Sequence, residues 1–187
     1  MRPADRYSAA ARPEIATAPL GARTLPDSRF MLANPAHLFA LGFGSGLSRI
    51  MPGTAGTLFG WAAYALLTRL WPEVFTPLNW AIIIGMGFLY GIAACERTGQ
   101  ALNAPDHGSM VWDEIIAFWL VLLFVMPADF DMQLTAFVLF RVFDMVKPPP
   151  IRWFDHHVKG GFGVMWDDIV AAFYTLLALA LWRNFAG

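Results

Sequence analysis

Two runs of 18 residues, 54–71 and 78–95, contain no acidic residue and a single base, Arg69, near the end of the first. A helix of that length rises about 27 Å, close to the thickness of a bilayer's hydrocarbon core. Arg69 can snorkel from its position near the run's end. Three shorter apolar runs follow, at 115–126, 132–146 and 169–182, and the middle one carries Arg141 and Asp144. The flanking pair approach spanning length only if Asp113, Glu114, Asp167 and Asp168 lie on the helices too. An ionisable residue forced to a membrane edge is a functional hypothesis by default.

The composition agrees with this reading. Apolar residues make up 57% of the 187 and charged residues 14%, against about 25% charged in soluble domains. Eight Trp, 16 Phe and 16 Gly fit interfacial aromatics and close helix packing. The formal net charge is −1, so no global field recruits nucleic acid. Cys95 is the only cysteine, which excludes an intramolecular disulfide and any CxxC metal or redox motif. The sequence predicts an all-α integral membrane bundle of about five transmembrane helices.

Residues 1–33 are rich in Ala, Pro and Arg with no apolar core of a signal peptide, and read as a disordered cytoplasmic tail. Residues 34–52 are too broken by Gly and Pro to span and read as an interfacial or re-entrant piece that opens a membrane domain over 34–187. With the tail inside, the inward segments collect Arg2, Arg6, Arg12, Arg23, Arg29, Arg49, Arg97, Lys147, Arg152 and Lys159. The outward ends hold only Arg69 and Arg183. This positive-inside asymmetry puts the N-terminus in the cytoplasm and the C-terminus outside. The acids at 113–114, 144 and 167–168 then share the cytoplasmic end.

A repeat sharpens the picture. Val111-Trp112-Asp113-Glu114-Ile115-Ile116-Ala117 aligns with Met165-Trp166-Asp167-Asp168-Ile169-Val170-Ala171 at an offset of 54, which implies two copies of one helix start. Neighbouring helical residues point about 100° apart, so one carboxylate of each pair can face the bundle centre while the other caps, pairs with a base or orients its neighbour. Short-armed carboxylates from two helices make a hard oxygen site of the kind Mg²⁺ takes, completed by water and a phosphate. The plainer reading is that acids at helix starts only complement the macrodipole, but two like pairs at one depth in a charge-poor chain favour a metal or proton site.

Basic groups share the layer. Arg141 and Asp144 are three apart on one face and suit an internal salt bridge, which leaves Lys147, Arg152 and Lys159 to meet an anion. His107, directly before the first acidic pair, is a candidate acid–base or phosphate-contacting group; His156 and His157 suit a wet loop better. Ser48 and Pro52-Gly53-Thr54 stand where backbone N–H groups and hydroxyls at a helix start hold phosphate, or where small residues simply pack. The Gly-Lys-Ser/Thr element of a nucleotide loop is absent from the stretch.

These residues carry a resemblance. Gly44-Ser45-Gly46-Leu47-Ser48 with Pro52-Gly53-Thr54, then Asp106-His107-Gly108-Ser109 into Val111-Trp112-Asp113-Glu114, then Phe140-Arg141-Val142-Phe143-Asp144-Met145-Val146-Lys147-Pro148 with Pro150-Ile151-Arg152-Trp153-Phe154-Asp155, and Gly160-Gly161 into Asp167-Asp168 follow in one order. From about Asn34 onward the chain resembles the bacterial phosphatidylglycerophosphatase A family. It departs at Arg49, where the family often has Pro, and at Thr57, where Ser is usual. The resemblance implies an inner-membrane, Mg²⁺-dependent phosphatase that removes the terminal phosphate of the phospholipid phosphatidylglycerophosphate, leaving phosphatidylglycerol and inorganic phosphate.

On that reading, metal would be held by Asp113 or Glu114 with Asp167 or Asp168, and Asp144 joins the metal candidates. A spare carboxylate would deprotonate water, and Lys147, Arg141, Thr54, Ser48 and His107 would receive the substrate phosphate. A phosphoaspartate on Asp113 or Asp167 is an alternative route. Two rival functions need weighing. A small cation or proton transporter could use the same carboxylates, but it predicts acids at mid-membrane or at both faces. An alcohol-phosphate transferase would need a nucleotide-lipid substrate and would release no free phosphate.

Overall fold

The computed structural model describes residues 25–147, 149 and 160–186, all of them helix, turn or loop with no strand among them. Two short helices, α1 (Ser28–Leu32) and α2 (Pro35–Ala40), lead into a 3-10 stretch over Gly42–Leu47. Five longer helices follow: α3 (Pro52–Leu70), α4 (Pro77–Ala101), α5 (Trp112–Val125), α6 (Phe130–Val146) and α7 (Gly161–Ala186). Helix α1 lies within the stretch read as a tail, where Asp27 accepts from the Phe30 N–H at 2.8 Å.

The starts follow capping rules. Asn34 and Thr76 accept the amides of Ala36 and Asn79, and each precedes a proline at the first helical position, where a missing N–H costs nothing. Asp129 caps α6 through the Met132 N–H at 2.9 Å. The largest departure from the sequence pattern is α7. It begins at Gly161, so Asp167 and Asp168 are its seventh and eighth residues, about 9 Å inside it. The two copies of the repeat are therefore not equivalent helix starts. The reason lies in α4: the Glu96 carboxylate accepts from the Gly161 N–H at 2.7 Å and supplies from another helix the cap that the local sequence lacks.

Helix α5 is the centre of the bundle, packed against α3, α4, α6 and α7. Ile115, Ile116, Ala117, Phe118, Val121 and Leu122 are fully buried. Glycines of α3 make this possible. Gly53, Gly56 and Gly60 share one face, and side chains at 56 and 60 would run into Val111 and Ile115. Close approach brings carbonyls within reach of indoles: Trp119 Nε1 donates to Gly60 O at 2.7 Å, and Trp112 Nε1 to Gly87 O at 2.9 Å. Tyr64, Trp80, Trp119 and Trp112 continue as a ladder of rings with centroids 4.2, 5.1 and 5.9 Å apart. Such contacts bury large apolar area while satisfying each N–H.

Two helices, α4 and α7, are long and apolar enough to cross a membrane by length and composition. Helices α5 and α6, with 14 and 17 residues, fall short of the roughly 20 that a lone span needs. Their neighbours shield α5, whereas α3, α4, α6 and α7 expose apolar stripes. Ile82, Met86 and Leu89 form one on α4, and Leu134, Val138, Val142 and Met145 another on α6.

Candidate active site

The acids meet where the helices converge. Asp113 and Glu114 come from the first turn of α5, Asp144 from the last turn of α6, and Asp167 and Asp168 from the second turn of α7. All five line one cavity of about 190 Å³, together with Asp106, Lys147, Gly108, Met110 and Val164. Both members of each pair line it, and of the roles open to the second carboxylate, pairing with a base is the one seen: Glu114 meets Arg141 and Asp167 meets Lys147. The macrodipole explanation also loses its ground at Asp167 and Asp168, because that effect fades within the first turn.

The charges are partly paired. Arg141 Nη1 contacts Asp144 Oδ2 at 2.8 Å and Glu114 Oε1 at 3.2 Å. The expected Arg141–Asp144 bridge is present, and a second acid shares it. Lys147, in left-handed conformation at the end of α6, contacts Asp167 Oδ2 at 3.2 Å, so it does not face an anion alone. Asp113 and Asp168 differ, since among the described residues neither has a basic partner. Oδ1 of Asp113, Oε2 of Glu114 and Oδ2 of Asp168 are buried acceptors without a hydrogen-bond partner among those residues. Buried oxygens left in that state fit a cation or its bound water.

Other candidates fall elsewhere. Arg141 bridges two of the cavity's carboxylates and is not itself among the residues that line it. Ser48 donates to its own loop, at Ile50 O, 2.8 Å away. Thr54 and Ser48 are absent from the cavity lining, and Gly53 and Gly56 of the same stretch serve as packing surface for α5. His107 is buried, with Nδ1 accepting the Ser109 N–H at 3.2 Å, and its neighbours Asp106 and Gly108 reach the cavity. Arg152, His156, His157 and Lys159 lie outside the described residues.

Two residues to which the sequence reading gave no site role belong here. Asp106 adds a sixth carboxylate to the cavity, and its signal was its place in the Asp-His-Gly motif. Thr57, fully buried on α3, accepts from Arg141 Nη1 at 3.4 Å, a contact across 84 residues that no local pattern announces.

Among the described residues no group of three His, Cys, Asp or Glu side chains is poised to hold a metal by itself. Mg²⁺ does not require one, since it is commonly held by one or two carboxylates, several waters and substrate phosphate. The described lining holds carboxylates and an amine, with no thiolate or imidazole, which fits that ion better than a soft one.

Comparison with known proteins identifies the family. Phosphatidylglycerophosphatase A of Escherichia coli (strain K12) is 44% identical over 149 residues, 80% of this chain and 84% of that protein. The Haemophilus influenzae protein of the same name is 41% identical over 155 residues, 82% of this chain and 92% of the relative. A Bacteroides thetaiotaomicron protein, provisionally named a phosphatidylinositol-3-phosphatase, is 38% identical over 150 residues, 78% of this chain and 92% of its own length. No solved structure gives a significant match. Residues 38–183 match the family described as Phosphatidylglycerophosphatase A, and that span contains every residue of the carboxylate cavity: the chain belongs to the phosphatidylglycerophosphatase A family of phosphatases.

Proposed function

We propose that this protein hydrolyses the terminal phosphate of phosphatidylglycerophosphate, with Mg²⁺, at the cytoplasmic face of the bacterial inner membrane. The observation that carries this reading is the convergence of five carboxylates from α5, α6 and α7, with Lys147, on one small cavity in a member of this family.

Asp113 and Asp168 would hold the ion: neither has a basic partner among the described residues, and each carries a buried oxygen without a hydrogen-bond partner there. A bound Mg²⁺ supplies Lewis acidity to the phosphoryl oxygens and makes water a better nucleophile. The chain's own groups do the rest. Glu114, held by Arg141, orients the attacking water and takes its proton. Lys147, which reaches the cavity beside Asp167, offsets negative charge on the transferring phosphoryl group. The cavity is too small for a diacylglycerol body, so the lipid presents only its phosphorylated head while its chains stay in the bilayer.

The accompanying membrane arrangement has α3 to α7 as five passes, residues 1–33 as a cytoplasmic tail and 34–187 as the membrane domain. The apolar stripes on four of the helices support it, as does the bias of Lys and Arg toward one side. Every acid of the cavity belongs to one end of the bundle, which favours a surface hydrolase over a transport path.

The experiment is release of inorganic phosphate by the purified, metal-stripped protein from phosphatidylglycerophosphate, with phosphatidylinositol-3-phosphate as comparator. Turnover that requires added Mg²⁺ and favours the first lipid is expected. Full activity in excess chelator would remove the metal from the proposal, and preference for the second lipid would overturn the substrate.

A further inference from the structure

Arg141 is the cation on which the geometry of two cavity acids depends, and α3 decides where it can stand. Its side chain is 13% exposed, and Nη1 reaches Asp144, Glu114 and Thr57 together. Thr57 is fully buried, and its hydroxyl proton is committed to Gly53 O at 3.0 Å. The Thr57 oxygen is thereby left as an acceptor for the guanidinium. One turn earlier on the same face, a methyl group on Gly53 would stand 3.0 Å from Arg141 Nη2 and 2.9 Å from Glu114 Cδ. Helix α3 thus gives Arg141 a wall at Gly53 and an anchor at Thr57.

We propose that Thr57 is a positioning residue for the phosphatase reaction: its hydroxyl fixes the guanidinium of Arg141, and through it the aim of Glu114 and Asp144 into the cavity. The proposal rests on the cavity being the phosphatase site. Volume alone does not explain the residue. Valine would fill the same space, but it cannot accept from an arginine, and a valine-for-threonine exchange is not neutral where the hydroxyl is used. The Gly53 carbonyl would keep its helical partner, so the exchange removes the anchor and little else.

The test compares Thr57→Val, Thr57→Ser and Asp113→Asn in the purified full-length protein. It reads kcat and KM on phosphatidylglycerophosphate and the midpoint of thermal unfolding. Thr57→Val is expected to lower kcat about 10-fold, the scale of one hydrogen bond to a charged group, with KM within about twofold and the midpoint nearly unchanged. Thr57→Ser, which restores the oxygen without the methyl, should recover kcat to within about twofold. Wild-type kcat in Thr57→Val would overturn the proposal, as would equal impairment in Thr57→Ser, which would make the methyl the part that matters. If the valine protein is not recovered folded, Thr57→Ala carries the same comparison with serine. Asp113→Asn separates the two levels of the argument. Retained turnover there means the cavity is not the site, whereas its loss beside a fully active Thr57→Val removes Thr57 alone.

Discussion

Replacing Gly53 by alanine perturbs the geometry of the site at a single point. The added methyl would overlap Glu114 Oε1, the oxygen that Arg141 holds, and stand 2.9 Å from Glu114 Cδ and 3.0 Å from Arg141 Nη2. Ordinary contact between carbon atoms is about 3.5–4.0 Å, so Cδ must retreat by roughly 0.6–1.1 Å, and Oε1, which lies closer to the methyl, by more. The Glu114–Arg141 contact is already 3.2 Å, and a retreat of that size breaks it. A displacement near 1 Å at a catalytic group can cost about 100-fold in rate. Gly53 lies near the start of α3, where alanine is the better helix former by up to about 1 kcal/mol. The expected result is a protein that still folds, with an unfolding midpoint at or below the parent's because loss of a largely buried ion contact offsets the helix gain, and with kcat for phosphate release lower by about 100-fold. A Gly53→Ala protein with kcat within about threefold of the parent would refute the reasoning, because it would show that Glu114 can move without consequence.

Three further outcomes are expected. Asp113→Asn and Asp168→Asn should each lower turnover by at least about 100-fold in protein that still inserts, and the double variant should be little worse, because groups acting as one unit are strongly non-additive; additive losses in the phosphate-release assay would argue against a shared centre. A side chain at Gly161 would meet the Ile92 carbonyl oxygen and stand 2.8 Å from the Glu96 nitrogen, both backbone atoms, so Gly161→Ala should lose about 1–3 kcal/mol of stability; an unchanged unfolding midpoint would contradict the close approach of α4 and α7. Cysteines placed at Gln100 and Asp131, exposed positions toward opposite ends of the bundle, should react with a membrane-impermeant thiol reagent from the cytoplasmic and the outer side respectively; the reverse would invert the orientation.

What the sequence revealed was chemistry that hydrophobicity makes conspicuous. Asp113, Glu114, Asp167 and Asp168 stand out because acids are rare in apolar runs, and their convergence follows from shared depth. The Arg141–Asp144 pair was legible because i, i+3 spacing fixes one face of a helix. Contacts set by distant residues were not legible. The start of α7 depends on Glu96, 65 positions away, so the repeat alone implied a helix start near Met165 and gave no sign of the true one at Gly161. Lys147 seemed available to an anion because its partner Asp167 lies 20 residues on. The glycines at 53 and 56 fit either a phosphate cradle or a close helix crossing. Only the position of Val111 and Glu114 beside them decides for the crossing.

The seclusion of α5 separates two demands that most enzymes must meet with the same surface. From Trp112 to Leu122 its side chains are buried or nearly so, while the exposed apolar groups Leu66, Ile82, Met86, Leu89, Phe173 and Leu177 belong to other helices and are absent from the cavity lining. Compatibility with hydrocarbon and catalytic competence are thus written in different residues. A water-soluble redesign can exchange the outer set for polar side chains without altering a single group at the carboxylate cavity.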